Sequence, residues 1–177
     1  MDIFIFKTTD AKNINKGLLN SFKKREFKNE DKFFEHSYSY LMADRILKNF
    51  YNIENREMES VDGKPFLKTR EKYFSISHSG EYIALVFSDS DCSIDIEKIK
   101  ERDYEAISKR MGFNSHTLEE FYFAWTKYES EYKLSHGEKY TSQFKFEEYA
   151  VSVSSHNKSE KFELYIQNGN NFSNSEV

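Results

Sequence analysis

The chain of 177 residues carries one cysteine, Cys92, and one proline, Pro65. A lone cysteine excludes an internal disulfide and fits a reducing compartment. With no activating partner near it in sequence, Cys92 reads as a core residue. A single proline leaves no Pro-rich linker to divide the chain, and no segment repeats at a short fixed period. No apolar run approaches the roughly 20 residues of a membrane span, and the opening residues, acidic at Asp2, lack the pattern of a secretory leader. These absences predict a cytoplasmic protein with no membrane partner. Positive charge is not in excess: 26 Lys and Arg stand against 30 Asp and Glu, a net charge of −4, which predicts no nucleic-acid partner. The five histidines have no zinc-type spacing, and neither a Walker loop nor a dinucleotide fingerprint occurs.

Aromatic residues are abundant: 17 Phe, 12 Tyr and 1 Trp. They predict a core built largely from rings and argue against disorder. The length suits one compact domain, or two small halves sharing a core. Alternation and apolar runs predict strands at 3–6, 73–77, 82–87, 93–97, 146–154 and 161–166. Helices are expected through Ile14, Leu18 and Phe22, over 30–52, near 103–111 and over 118–135. The last begins at a capping box, Thr117-x-x-Glu120, and Gly137 marks its stop. Its apolar seam reads as Leu118, Phe121, Trp125, Tyr128 and Tyr132. Asp62-Gly63-Lys64-Pro65 is a turn, and the Asn- and Ser-rich stretch 167–177 reads as a fraying tail. The element order predicts an α+β fold of two halves, 1–89 and 90–177.

Three constellations bear chemistry. In Ile94-Asp95-Ile96-Glu97, strand alternation puts both carboxylates on one face and both isoleucines on the other. Such a pair is either a solvated strand face or a cation site, and Mg²⁺ favours a few carboxylates with water and phosphate oxygens. Glu129 and Lys133 are neighbours on a helix, which read alone is a surface ion pair contributing about 0.3–0.5 kcal/mol. His78 continues the face of Phe74 and Ile76 to a strand end, as a structural hydrogen-bonding group or a phosphate ligand. The cluster Lys23-Lys24-Arg25 with Lys28 is a solvated helix end or a phosphate clamp.

Taken in order, Gly63-Lys64-Pro65, Ile76-Ser77-His78-Ser79, Ile94-Asp95-Ile96-Glu97 and the helix from Trp125 through Glu129 to Lys133 resemble the surfactin-type 4′-phosphopantetheinyl transferases over roughly residues 61–154. The resemblance implies two pseudo-two-fold-related halves, each a small antiparallel sheet packed with helices, in a monomer that mimics a dimer. It implies a transferase that moves phosphopantetheine from coenzyme A to a serine of an apo acyl or peptidyl carrier protein and releases 3′,5′-ADP. By carry-over, Asp95, Glu97 and Glu129 would hold Mg²⁺, with Mn²⁺ an acceptable substitute in an oxygen-rich site. Glu129 would be the base and Lys133 a catalytic cation. Coenzyme A would be held by His78, Lys133 and Lys64, with Lys24 and Lys28 assisting. The chain departs from the family at Tyr128, where a lysine is usual, at Ser93, where a glycine is usual, and at Glu35 and Ser39 in the first long helix. A homologue that binds coenzyme A or a carrier without turnover is the competing expectation, followed by a Mg²⁺ phosphohydrolase.

Overall fold

The computed structural model describes residues 1–22, 26–61, 63–168 and 171–175. Among them the strands are β1 (Asp2–Lys7), β2 (Met58–Val61), β3 (Lys64–Leu67), β4 (Tyr73–Ser79), β5 (Tyr82–Ser88), β6 (Cys92–Lys98), β7 (Tyr140–Phe146), β8 (Tyr149–Ser155), β9 (Glu163–Asn168) and β10 (Asn171–Ser175). The helices are α1 (Lys16–Ser21), α2 (Glu30–Asn49), α3 (Tyr104–Met111) and α4 (Leu118–Lys133), with a 3₁₀ turn at Thr8–Asn13.

The fold is α+β. One sheet has the order β10-β9-β1-β5-β4, antiparallel except where β1 lies beside β9. A second, β6-β8-β7, is wholly antiparallel, and β2-β3 is a separate hairpin. The two larger sheets share a connection pattern. In β1-β5-β4 and in β6-β8-β7, the strand before the helices sits next to the last strand of its hairpin. β9 and β10, from the second half of the chain, complete the sheet of the first half.

Strand alternation sorts the core into layers. Phe4, Phe6, Phe74, Leu85 and Phe87 pack with Tyr38, Leu41, Ile46 and Leu47 of α2. The opposite face, Ile3, Ile5, Ala84 and Val86, packs with Ile94, Ile96, Val151 and Val153 of the second sheet. The far face of that second sheet receives α4 through Phe121 and Tyr122, which pack with Ala150, and through a set of hydroxyls. Ser93 Oγ donates to Ser130 O at 2.6 Å, Thr126 Oγ1 meets Ser152 Oγ at 2.7 Å, and Ser130 Oγ meets Ser154 Oγ at 2.8 Å.

Local chemistry sets the ends. Asn29 caps α2 by accepting from Lys32 N at 3.1 Å, with Glu30 and Asp31 in the first turn favouring the helix dipole. The capping box of α4 forms as expected, Thr117 accepting from Glu120 N and Glu120 accepting from Thr117 N. The turn from β4 to β5 needs Gly80: its φ is +57°, and a Cβ there would lie 2.6 Å from Tyr149 Oη.

Several expectations change. The buried stripe of α4 is Phe121, Tyr122, Thr126 and Ser130, while Tyr128 and Tyr132 are 43% and 77% exposed. The helix turns its small hydroxyl residues to the sheet because Ser93, Ser152 and Ser154 supply partners there. Phe113, ahead of the helix, meets Trp125 edge-on, Trp125 contacts Tyr128, and Tyr128 stacks on Tyr132. In α1 the buried residue is Leu19, and Leu18 is exposed. The expected strand at 146–154 straddles a hairpin turn at Glu147, whose φ is +50°, between β7 and β8. The turn at Gly63-Lys64-Pro65 joins β2 to β3, with Asp62 outside the described residues. The stretch read as a fraying tail contains the end of β9 and β10, which pair with each other.

Candidate functional site

β4 and β6 are the edges of the two larger sheets, and they run side by side in the same direction. Among the described residues no backbone hydrogen bond joins them. Serine hydroxyls take that place. Ser77 Oγ accepts from Ile96 N at 3.3 Å and donates to Asp95 Oδ1 at 2.8 Å. Two residues on, Ser79 Oγ accepts from Lys98 N at 3.1 Å and donates to Glu97 Oε2 at 2.7 Å. The expected alternation holds: Ile94 and Ile96 are fully buried in the core, and Asp95 and Glu97 share the other face.

Lys133, from the last turn of α4, closes this cluster. Its Nζ donates to Asp95 Oδ1 at 2.6 Å and to Ile94 O at 3.0 Å. The surface ion pair that helical spacing offers between Glu129 and Lys133 is thus replaced by a long-range pair to β6. Asp95 is 5% exposed, and its second oxygen, Oδ2, is buried without a hydrogen-bond donor. Burial pushes the Glu97 carboxyl above its ordinary range; the Ser79 hydrogen bond opposes this and the Asp95 charge adds to it. Glu129 is raised as well, first by burial and then by Asp95, against the pull of Lys133. The Asp95 charge thus reaches both Glu97 and Glu129, and that of Lys133 reaches Glu129.

The donor set is all oxygen, as a hard divalent cation requires, and the orphaned Asp95 Oδ2 is an oxygen in want of a positive partner. The residues fit an ion held by two carboxylates with the rest of its shell from water and substrate. Among the described residues, no three His, Cys, Asp or Glu side chains stand close enough to hold an ion by themselves.

The expected phosphate ligands separate. His78 lies at the end of β4 and lines a cavity of about 460 Å³ with His36, Ser39 and Tyr40 of α2, Ser60 of β2, Gly63 of the hairpin turn, and Pro65 and Ile76. Its Nδ1 is 3.0 Å from Glu35 Oε1, which also pairs with Lys32 at 3.0 Å. Burial opposes charge on Glu35, but the interactions with His78 and Lys32 outweigh it and hold the carboxyl below its usual range. Lys64 is not in the cavity wall; its Nζ pairs with Asp91 Oδ1 at 2.7 Å. Lys28 is exposed ahead of α2, and Lys24 lies outside the described residues.

Sequence reasoning passed over Ser77, Ser79, Glu35, His36 and Asp91 as parts of the site. The serines had a signal, since alternation puts them opposite His78 and on the side of β6. Asp91, in the turn between β5 and β6, had none. The departures at Ser93 and Tyr128 also resolve: Ser93 Oγ is used inside the fold by Ser130, and Tyr128 faces solvent. β4 thus separates two environments, with Ile76 and His78 on the cavity side and Ser77 and Ser79 on the carboxylate side. Set against models of known protein families the chain matches none, and no curated protein matches it in sequence. No helix among the described residues is long and apolar enough to cross a membrane.

Proposed function

We propose that the protein is a divalent-metal-dependent 4′-phosphopantetheinyl transferase, using coenzyme A as donor and a serine of an apo carrier protein as acceptor. The observation that carries the reading is the charge cluster on β6 and α4. Asp95 and Glu97 are side by side, Asp95 has a buried oxygen in need of a cation, and Glu129 and Lys133 lie within electrostatic reach. The order of motifs along the chain supports it, as does the connection pattern shared by β1-β5-β4 and β6-β8-β7, which is what two related halves would have.

Asp95 and Glu97 would hold Mg²⁺ or Mn²⁺, which when bound supplies charge stabilisation to a diphosphate. A serine hydroxyl is a weak nucleophile at neutral pH and needs a base. Glu129 takes that role: burial and the Asp95 charge raise its proton affinity, as suits a base working near neutrality. As the serine oxygen bonds to the β-phosphorus of coenzyme A, its proton passes to Glu129. The bond from that phosphorus to the bridging oxygen breaks and 3′,5′-ADP leaves. Lys133, fixed by Asp95 and Ile94, puts a positive charge where the leaving oxygen gains negative charge. His78, oriented by Glu35 through Nδ1, offers Nε2 to a phosphate at the cavity mouth.

The test is incubation with apo carrier protein, coenzyme A and Mg²⁺, read by mass spectrometry of the carrier. One added phosphopantetheine per carrier supports transfer. Release of nucleotide or phosphate without a carrier would instead identify a phosphohydrolase. A homologue that binds without turnover is the second reading, favoured by the clamp of Lys133 on Asp95 and by Glu35 on His78; it predicts coenzyme A binding and no mass change.

A further inference from the structure

The two carboxylates of β6 are held by one device used twice. In each case a β4 serine hydroxyl is fixed by a β6 backbone N–H and donates its own proton to one carboxylate oxygen. The result is the same at both positions. Asp95 Oδ1 is taken by Ser77 and Lys133, leaving Oδ2 buried and without a donor. Glu97 Oε2 is taken by Ser79, and Oε1 accepts no hydrogen bond from the described residues. A serine has one proton to give, and the N–H that each hydroxyl accepts directs that proton away from the strand and onto the acid. The geometry points to Ser77 and Ser79 as positioning residues that choose which oxygen of Asp95 and of Glu97 faces a bound divalent cation.

This rests on the metal-dependent reading above but adds a role that the reading does not need. A carboxylate can rotate about its terminal bond, and an unfixed one presents either oxygen or both. Hydrogen bonds to the non-ligating oxygen remove that freedom before the ion arrives, and loss of such outer contacts typically weakens metal affinity about 10–100-fold. Because the hydroxyls also stand in for the missing ladder between β4 and β6, the carboxylates are aligned by the junction of the two sheets and not by β6 alone.

The experiment measures Mn²⁺ affinity by electron paramagnetic resonance on the full chain, with coenzyme A present and with it absent. The proteins compared are wild type, Ser77→Ala, Ser79→Ala and Ser79→Thr, with thermal melting of each in metal-free buffer. We expect each alanine variant to bind Mn²⁺ about 10–100-fold more weakly, and Ser79→Thr, which keeps a hydroxyl, to stay within a few-fold of wild type. Ser79→Ala should still melt as a folded protein, with a midpoint lowered only by the loss of its two hydrogen bonds, because Ser79 is partly exposed. Should buried Ser77→Ala fail to fold, the Ser79 pair of variants carries the test. Unchanged Mn²⁺ affinity in Ser79→Ala, or equal weakening in Ser79→Thr, overturns the positioning role while leaving the metal reading intact. No Mn²⁺ binding by the wild-type protein overturns the metal reading and this inference with it.

Discussion

A buried polar atom with no hydrogen-bond partner costs about 1–3 kcal/mol, and more when it belongs to a charged group. Asp95 Oδ2 is such an atom, placed 18 residues after a serine that anchors its sister oxygen. A stable fold retains that cost where it serves binding, which is why the residue scale is the place to test the site. Mg²⁺ with coenzyme A should raise the melting temperature of the wild-type protein and leave that of Asp95→Asn unmoved, as differential scanning fluorimetry would record. For Glu129→Gln, coenzyme A binding should be kept within a few-fold while turnover falls about 10²–10⁴-fold, the usual range for a lost general base. Normal turnover in that variant would remove Glu129 from the mechanism. The Glu129→Gln result does not depend on the fate of Lys133, whose clamp on Asp95 is retained in that variant.

At the scale of elements, the helix that carries Glu129 and Lys133 is docked by hydroxyls. Thr126, Ser130, Ser152, Ser154 and Thr141 form a hydrogen-bonded run between α4 and the second sheet. Thr126→Val keeps the shape but leaves Ser152 short of one partner, so urea unfolding should show a loss of about 1–3 kcal/mol. A change below a few tenths would mean that the run does not fix α4. This interface also explains what was legible in the sequence. Helix α4, its capping box and the alternation of β4 and β6 follow from local rules, and the structure keeps them. The facing of α4 was legible only in part: of the seam Leu118, Phe121, Trp125, Tyr128 and Tyr132, Phe121 is buried with Leu118 and Trp125 packed against it, while Tyr128 and Tyr132 are exposed. Only the presence of Ser93, Ser152 and Ser154 on a distant sheet turns Thr126 and Ser130 inward instead. The β2-β3 hairpin and β7 were missed for a related reason, since they are short or polar segments whose pairing is decided by a partner strand. For the site, alternation put Asp95 and Glu97 on one strand face and Lys133 reaches Asp95, but among the described residues Glu129 does not join the two carboxylates as a third ligand. The partners Glu35 and Asp91 come from loops and helix faces that carry no pattern of their own.

Across the whole molecule, the two larger sheets are joined by the shared core of isoleucines and valines and by the serine bridges from β4 to β6, and the pair of Lys64 with Asp91 ties the β2-β3 hairpin to the turn before β6. Asp91 also accepts from Ser135 N at 3.2 Å, so one carboxylate links the hairpin, the entry to β6 and the end of α4. Burial works against its charge, but Lys64 and Ser135 hold its carboxyl below the usual range. A carboxyl depressed in the folded state adds stability that is present above its unfolded value, near 3.8, and is lost as pH falls through the folded value. Thermal melting followed downward from pH 6 should therefore drop less steeply below about pH 4 in Asp91→Asn than in wild type. At neutral pH the variant should be weaker by about 1–2 kcal/mol, as befits a lost hydrogen bond to a charged group. Parallel acid limbs would show that the clasp contributes nothing.

The most direct measurement is calorimetric titration of coenzyme A into the wild-type protein and into Asp95→Ala, each with Mg²⁺ and each with a chelator. The account predicts tight binding only for the wild-type protein with Mg²⁺, and weak binding of similar strength in the other three cases. Coenzyme A binding of equal affinity with and without Mg²⁺, or undiminished in Asp95→Ala, would contradict it.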